Sequence, residues 1–182
     1  MKLTISKRGI SKKPSTHKEV AILKSSIKEV VDVNMEELVF IVQNLPFNLS
    51  EASGISERDW LSQQMFGLDF DSGVDVKPVI EYCRKYSLIP NVIYSTSSNT
   101  TEKPRFRVIF ILDTPIMDYN IAKRVQTGIV SLFKSDENCK DDGRMFYPGP
   151  AVIHRDDELN ESSWFVSTIL GSTVGESVIN QK

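Results

Sequence analysis

The chain has 182 residues, 40% apolar and 25% charged, enough for one well-filled core and short for two. A net charge of −2 excludes a protein that coats nucleic acid over its whole surface, and no apolar run approaches the roughly 20 residues of a membrane span. The start Met1-Lys-Leu-Thr-Ile-Ser lacks the apolar stretch of a secretory signal, and Cys83 and Cys139 form neither a metal-ligand spacing nor a disulfide framework, so a cytoplasmic protein with no membrane contact and no structural zinc is expected.

Between residues 1 and 29 the cations Lys2, Lys7, Arg8, Lys12, Lys13, Lys18, Lys24 and Lys28 stand against only Glu19 and Glu29. Such a basic arm either holds phosphates through counterion release or is a solvated N-terminal segment. Residues 2–6 alternate weakly, as an edge strand would, and residues 7–16 read as loop. Residues 20–33 mix apolar and charged side chains without one dominant period, which leaves helix and strand both open. Asn34 then caps a helix running to about Gln43, with Glu36 and Glu37 in its first turn, and Asn44-Leu-Pro ends it. Residues 47–59, polar and carrying Gly54 and several serines, predict a surface loop leading to Trp60.

Beyond Trp60 the pattern sharpens. Residues 65–71 predict a strand broken by Ser72-Gly73, and Asp75 can cap a helix from Val76 to about Tyr86 that tolerates Pro78 in its first turn. Residues 90–96 form a second strand and the polar residues 97–103 a loop. Residues 105–112 have the β-branched and aromatic content of a central strand. Asp118 opens a helix to about Phe133, with Ile121, Ala122, Val125, Ile129 and Leu132 on one stripe. After a polar loop, residues 144–147 make a short fourth strand stopped by Pro148-Gly149-Pro150. Residues 164–170 read as an added strand, and residues 171–182 as a flexible tail or linker.

From residue 65 to 147 the order is therefore β-α-β-β-α-β, an α+β, RRM or ferredoxin-like core with an N-terminal α/β extension. In that topology the first and third strands lie side by side, the fourth flanks the first, and both helices cover one face. With Phe66, Leu68 and Phe70 turned to the helices, Asp69 and Asp71 leave from the open face, and Arg105 and Arg107 of the third strand can share it.

Two residues of strand rise place the Asp69 and Asp71 carboxylates roughly 6 to 7 Å apart, where they repel by about 2 to 3 kcal/mol at an effective dielectric of about 20. A divalent cation between them would remove that cost; the plainer reading is a pair of solvated acids at a strand end. An EF-hand calcium loop starting at Asp69 fails, because its fifth position is Gly73 and its twelfth is Ile80 where a bidentate Glu is needed. His17 and His154 are the only histidines, too few for a His-x-His nickase or a Ser-His-Asp hydrolase, and His154 reads as a surface residue. Trp60 and Tyr94 serve either packing or base stacking.

Four motifs stand in order: Trp60-Leu-Ser-Gln-Gln before Phe-Gly-Leu-Asp69-Phe-Asp71, Tyr94-Ser-Thr-Ser-Ser, Pro104-Arg-Phe-Arg-Val-Ile-Phe, and Asp136-Glu-Asn-Cys-Lys-Asp-Asp-Gly-Arg144-Met-Phe-Tyr. Together they resemble the catalytic domain of the archaeo-eukaryotic primase (AEP) superfamily, in its plasmid and phage replication-protein branch, over residues 60–149. The resemblance implies a DNA primase or polymerase, a nucleotidyltransferase using a two-metal site of Mg²⁺ or Mn²⁺ held by Asp69, Asp71 and Asp136, with Asp141 the weaker alternative for the third acid. It implies a single-stranded DNA template and primer, NTP or dNTP substrates, and nucleotide binding by Arg105, Arg107 and Arg144. The guanidinium fork suits phosphate, although Arg105 can equally pair with one of the acids.

The chain departs from the family where many members carry Ser-x-His before an apolar strand: Arg105-Phe106-Arg107 stands there, with Asn99 a lower-ranked substitute for the histidine. The expected organisation is residues 1–59 as a basic arm and helical extension, residues 60–170 as the catalytic core, and residues 171–182 as tail. With no Walker loop in the sequence, unwinding falls to a helicase domain or partner outside this chain. The alternatives are a catalytically degenerate primase fold that binds single-stranded DNA or an origin, and a metal-dependent nuclease.

Overall fold

In the computed structural model, which describes residues 1–10, 14–53, 57–141 and 143–179, a small N-terminal layer of chain precedes the larger sheet. Strand β1 (Lys2–Ser6) is followed by helix α1 (His17–Ser26), strand β2 (Ile27–Asp32), helix α2 (Met35–Asn44) and the short strands β3 (Phe47–Asn48) and β4 (Ser50–Ala52). Then come β5 (Trp60–Phe70), helix α3 (Val76–Lys85), β6 (Val92–Ser95), β7 (Phe106–Ile116), helix α4 (Tyr119–Phe133), β8 (Val152–Arg155) and helix α5 (Ser162–Ile179). Among the described residues these strands form two antiparallel sheets, β2-β1-β3 and β4-β5-β7-β6-β8.

The β-α-β-β-α-β order holds from β5 to β8, with β5 and β7 paired at the centre as the pattern predicts. Alternation divides their side chains. Phe66, Leu68 and Phe70 of β5 and Phe106, Val108 and Phe110 of β7 pack with α3, α4 and α5 in one core. Met65 of β5 and Ile109 and Ile111 of β7 point the other way, into a second core with Leu3 and Ile5 of β1 and Leu38 and Val42 of α2. The face expected to be open is therefore largely covered by the N-terminal sheet and α2. Only its end, beyond Gly67, is left for the acids.

Several expectations are corrected. The fourth strand is not residues 144–147, and it does not flank the first. Strand β8 lies on the far edge beside β6, and β4 takes the edge beside β5. The reason is Phe146, whose backbone exchanges hydrogen bonds with Phe47 (3.1 and 2.8 Å) and whose ring stacks on that of Phe47 at 5.7 Å, drawing residues 144–147 off the sheet edge and across its face. Gly149 then docks under β6; a Cβ there would lie 1.8 Å from the Ser95 carbonyl oxygen.

Residues 2–6 are the central strand of their sheet, with Leu3, Thr4, Ile5 and Ser6 all buried, because β2 and β3 pair on both sides. Residues 20–33 are helix and then strand. The boundary signal is the capping box of Thr16 and Glu19, which closes the N-terminus of α1, as Asn34 and Glu37 close that of α2. Residues 47–59 are not simply surface loop: Phe47 and Leu49 are buried, and the Thr4 hydroxyl donates to the Ser50 carbonyl at 2.8 Å and accepts from the Ala52 N–H at 3.1 Å. Residues 164–170 are helical because Phe165 and Ile169, four apart, share the face toward Phe66 and Phe110, and Glu161 caps the turn through the Trp164 N–H at 2.8 Å. Of the basic arm and loops read from sequence, Lys12, Lys13, Gly54 and residues 180–182 lie outside the described residues. No helix among the described residues is long and apolar enough to cross a membrane.

Candidate active site at the end of strands β5 and β7

The ladder between β5 and β7 places Asp69 directly opposite Arg107. Both side chains are buried, and Arg107 Nε donates to Asp69 Oδ2 at 3.1 Å. The same oxygen accepts from Arg144 Nη2 at 2.8 Å, and that nitrogen also donates to Asp136 Oδ2 at 3.1 Å. Asp136 is brought there by backbone: its N–H donates to the Asp69 carbonyl at 3.0 Å, and its Oδ1 accepts from the Asn138 N–H in the short 3-10 turn at residues 137–140. Carboxylates from β5 and from the loop after α4 thus share one guanidinium from the loop before β8.

Arg107 donates its Nη1 to the Tyr147 carbonyl at 2.7 Å and lies over the rings of Tyr94 and Phe146, at 5.8 and 5.9 Å from their centroids. Burial works against its charge, but the Tyr94 phenol and the Asp69 carboxylate more than offset this and hold the guanidinium protonated. Tyr94 is fully buried beneath it, and burial pushes its hydroxyl up to about 12. Of the two readings of Tyr94, packing is the one its burial permits.

Asp71 behaves differently. It lies past the end of β5 and is exposed, just before the turn at Gly73, whose φ of 91° suits glycine. Arg105 is half-buried and its Nε has no hydrogen-bond partner; its backbone N–H donates to the Asn99 side chain at 2.7 Å, which explains why an asparagine stands in that loop. The arginine expected to be able to pair with an acid is thus the one that leaves the acids alone. The two assigned to phosphate, Arg107 and Arg144, both bind Asp69.

Two cavities meet at Asp69, Asp71, Arg107 and Tyr147. The larger, about 400 Å³, is lined by Asp69, Asp71, Asp136 and Arg144 together with Val20 and Lys24 of α1. The smaller, about 40 Å³, is lined by Asp71, Arg105 and the hydroxyl-bearing Thr96, Ser97 and Ser98, and the buried Thr96 Oγ1 has no partner. Asp141, the alternative third acid, is exposed on the rim of the larger cavity, with its carboxylate 3.9 Å from Lys24 Nζ. His154 is half-buried on β8, at the edge of the sheet, and lines neither cavity.

No protein-family model matches this sequence, and no curated protein is significantly similar to it. Among solved structures the chain is similar to the AEP domain of the primase-polymerase (PrimPol) of cyanophage S-2L, with a TM-score of 0.52 and 12% identity over 92% of this chain and 87% of that one. The fold is that of an AEP domain.

On this AEP fold the acids fit a hard divalent cation in donor chemistry, since Asp69, Asp71 and Asp136 offer carboxylate oxygens to one cavity. They are not gathered around one point: among the described residues no three His, Cys, Asp or Glu side chains converge to hold a metal ion. Arg144 stands between two of them instead. The sequence reading also missed α1 as a wall of the larger cavity. Its signal was present in the Thr16-x-x-Glu19 box and in the spacing of Val20, Leu23 and Ile27, which pack on Met145 and Tyr147.

Proposed function

We propose that this chain is the catalytic domain of a DNA primase-polymerase, a metal-dependent nucleotidyltransferase that extends a primer on a single-stranded template within a plasmid, phage or mobile-element replication protein. The observation that carries this reading is the joining of Asp69 and Asp136 at the end of β5, with Asp71 lining the same cavity, on the AEP fold. Asp69, Asp71 and Asp136 would hold Mg²⁺ or Mn²⁺, which when bound activates the primer 3′-hydroxyl and neutralises the triphosphate.

The remaining residues bind and orient. Arg105, Thr96, Ser97 and Ser98 line a small polar cavity next to the acids, a lining of guanidinium and hydroxyl groups that suits triphosphate oxygens. Arg107 fixes the Asp69 rotamer from a buried position and ties it to the Tyr147 carbonyl, so it acts as a positioning residue. Tyr147, where the two cavities join, bounds the space left for sugar and base.

Primer extension with labelled NTP or dNTP, in Mg²⁺ and in Mn²⁺, tests the reading. Incorporation that is lost in Asp71→Asn and weakened in nucleotide affinity by Arg105→Ala is the expected result; full turnover by Asp71→Asn overturns the assignment. One observation favours a second reading, a non-catalytic module that binds single-stranded DNA: Arg144 already neutralises both Asp69 and Asp136. That module would bind DNA and incorporate nothing under any of these conditions.

A further inference from the structure

The position of Arg144 bears on how a cation could reach the acids at all. One of its nitrogens, Nη2, bonds Asp69 Oδ2 at 2.8 Å and Asp136 Oδ2 at 3.1 Å, so it occupies carboxylate oxygens of two residues that would hold a divalent cation. Asp69 is further closed by Arg107 on the same oxygen, and its side chain is only 8% exposed. The Arg144 Nε is buried with no partner, so the guanidinium does not satisfy all its donors where it sits. An anion offering several oxygens would complete that set and compete with the carboxylates for it. Arg144 is carried by residues 143–147, a stretch of loop and isolated bridge rather than a strand.

We propose that Arg144 is a latch: in the free chain its guanidinium takes the cation's place between Asp69 and Asp136, and a phosphate-bearing substrate draws it off, so metal and nucleotide enter the site together. This rests on the nucleotidyltransferase reading above and adds to it an order of binding. Because the guanidinium cannot serve the carboxylates and the triphosphate with the same donors, each ligand raises the affinity for the other, and the coupling runs through one side chain. Arg107 does not share this role. It is buried, held by a backbone carbonyl as well as by Asp69, and has the Tyr94 ring beneath it.

The test is titration of the full chain with Mn²⁺ alone, read by electron paramagnetic resonance of the free ion. The unaltered chain should bind Mn²⁺ weakly, and Arg144→Gln should bind it about tenfold more tightly or better, the scale expected when a unit charge a few ångström from the ion is removed at intermediate dielectric. Lys24→Gln separates a latch from a general field: Lys24 lines the same cavity, but its ammonium is matched to Asp141 at 3.9 Å, not to Asp69 or Asp136. It should change Mn²⁺ affinity by less than about threefold.

A second measurement uses the unaltered chain and so does not depend on whether Arg144→Gln folds. Replacing chloride by sulfate at equal ionic strength should tighten Mn²⁺ binding, because sulfate engages the guanidinium. Pairing of sulfate with Mn²⁺ also lowers the free-ion signal, so each titration is referenced to the same sulfate or chloride buffer without protein. Unchanged Mn²⁺ affinity in Arg144→Gln, an equal gain in Lys24→Gln, or no gain in sulfate would each overturn the latch. If primer extension succeeds while these titrations fail, the polymerase reading stands without the latch. If the titrations succeed and no nucleotide is incorporated, the cation site remains and the polymerase reading falls.

Discussion

Asp69 and Asp71 stand two residues apart at the end of β5, yet the structure makes them unlike. Asp69 is buried between two guanidiniums, whereas Asp71 is exposed. Mutual repulsion, the effect that the sequence spacing brings to the fore, is therefore outweighed by pairing to Arg107 and Arg144. Asp69→Asn should destabilise the fold by about 3 to 5 kcal/mol, because it leaves the buried Arg107 guanidinium without its counter-charge, whereas the partly exposed Arg144 keeps Asp136. Asp71→Asn should change stability by less than about 0.5 kcal/mol. Urea denaturation of the two variants distinguishes these values, and equal stability losses would show that Asp69 is not locked. Three other buried groups set the response to alkali: burial pushes Cys83 and Cys139 from 9.0, and Tyr94 from 10.0, up to about 12. Each is favoured neutral in the fold, so its contribution is complete below its unfolded value and is lost as pH rises toward the folded one. The melting temperature should fall progressively between pH 9 and 12, and neither thiol should react with an alkylating reagent near pH 8 until the chain is unfolded.

At the scale of elements, the site depends on a stretch of chain that is not a regular element. Residues 144–150 cross the face of the β5–β7 pair and bring Arg144 and Tyr147 over Asp69, held by the Phe47–Phe146 bridge and by the Gly149 N–H donating to the Val42 carbonyl at 2.9 Å. Two glycines make the passage possible. A Cβ at Gly67 would meet the ends of the Leu49 and Phe146 side chains at 2.5 and 2.7 Å, whereas one at Gly149 would meet a backbone oxygen of β6. Side chains can rotate, whereas the backbone of a strand paired on both sides cannot. Gly67→Ala should therefore cost about 1 to 3 kcal/mol, and Gly149→Ala about 3 kcal/mol or more together with loss of the crossing itself. Thermal unfolding ranks the two, and a shift in near-ultraviolet circular dichroism from Tyr147 in Gly149→Ala alone would report the displaced loop.

At the scale of the whole molecule, the N-terminal cations belong to a folded layer. Lys2 pairs with Glu51 and Lys7 with Glu29, each at 3.0 Å, and residues 2–6 are the centre of the smaller sheet. Removing residues 1–14 would strip Leu3 and Ile5 from the second core, each worth about 2 to 5 kcal/mol by the usual cost of truncating a buried aliphatic side chain, and would unfold that layer rather than report on DNA. The exposed Lys18 and Lys28 allow a cleaner test of phosphate binding. The double variant Lys18→Glu, Lys28→Glu should keep its melting temperature within a few degrees. It should also lower the slope of log affinity for single-stranded DNA against log salt by about 0.7 for each phosphate that is no longer neutralised. An unchanged slope would show that α1 and β2 take no part in the proposed binding of single-stranded DNA.

The sequence by itself determined the local alternation and the caps. Strands β5 and β7, helices α2 and α4, the side of the sheet that carries Asp69, and the β-α-β-β-α order from β5 to α4 are legible from periods of 2 and 3.6 and from Asn34 and Asp118 at helix starts. Those signals depend on residues within a few positions of one another. Only the tertiary structure decided that residues 144–147 leave the sheet, that β8 pairs with β6, and that β1 is central. Each of these follows from a partner far along the chain: Phe47 for Phe146, Tyr94 and Ile93 for β8, and both β2 and β3 for β1. The charge pattern divides in the same way. Sequence put three acids and three arginines near one strand end, but which arginine binds which acid was fixed by burial. Desolvation makes an unpaired charge at Asp69 far more costly than at Asp71, and so draws Arg107 and Arg144 to Asp69 and leaves Arg105 facing the smaller cavity.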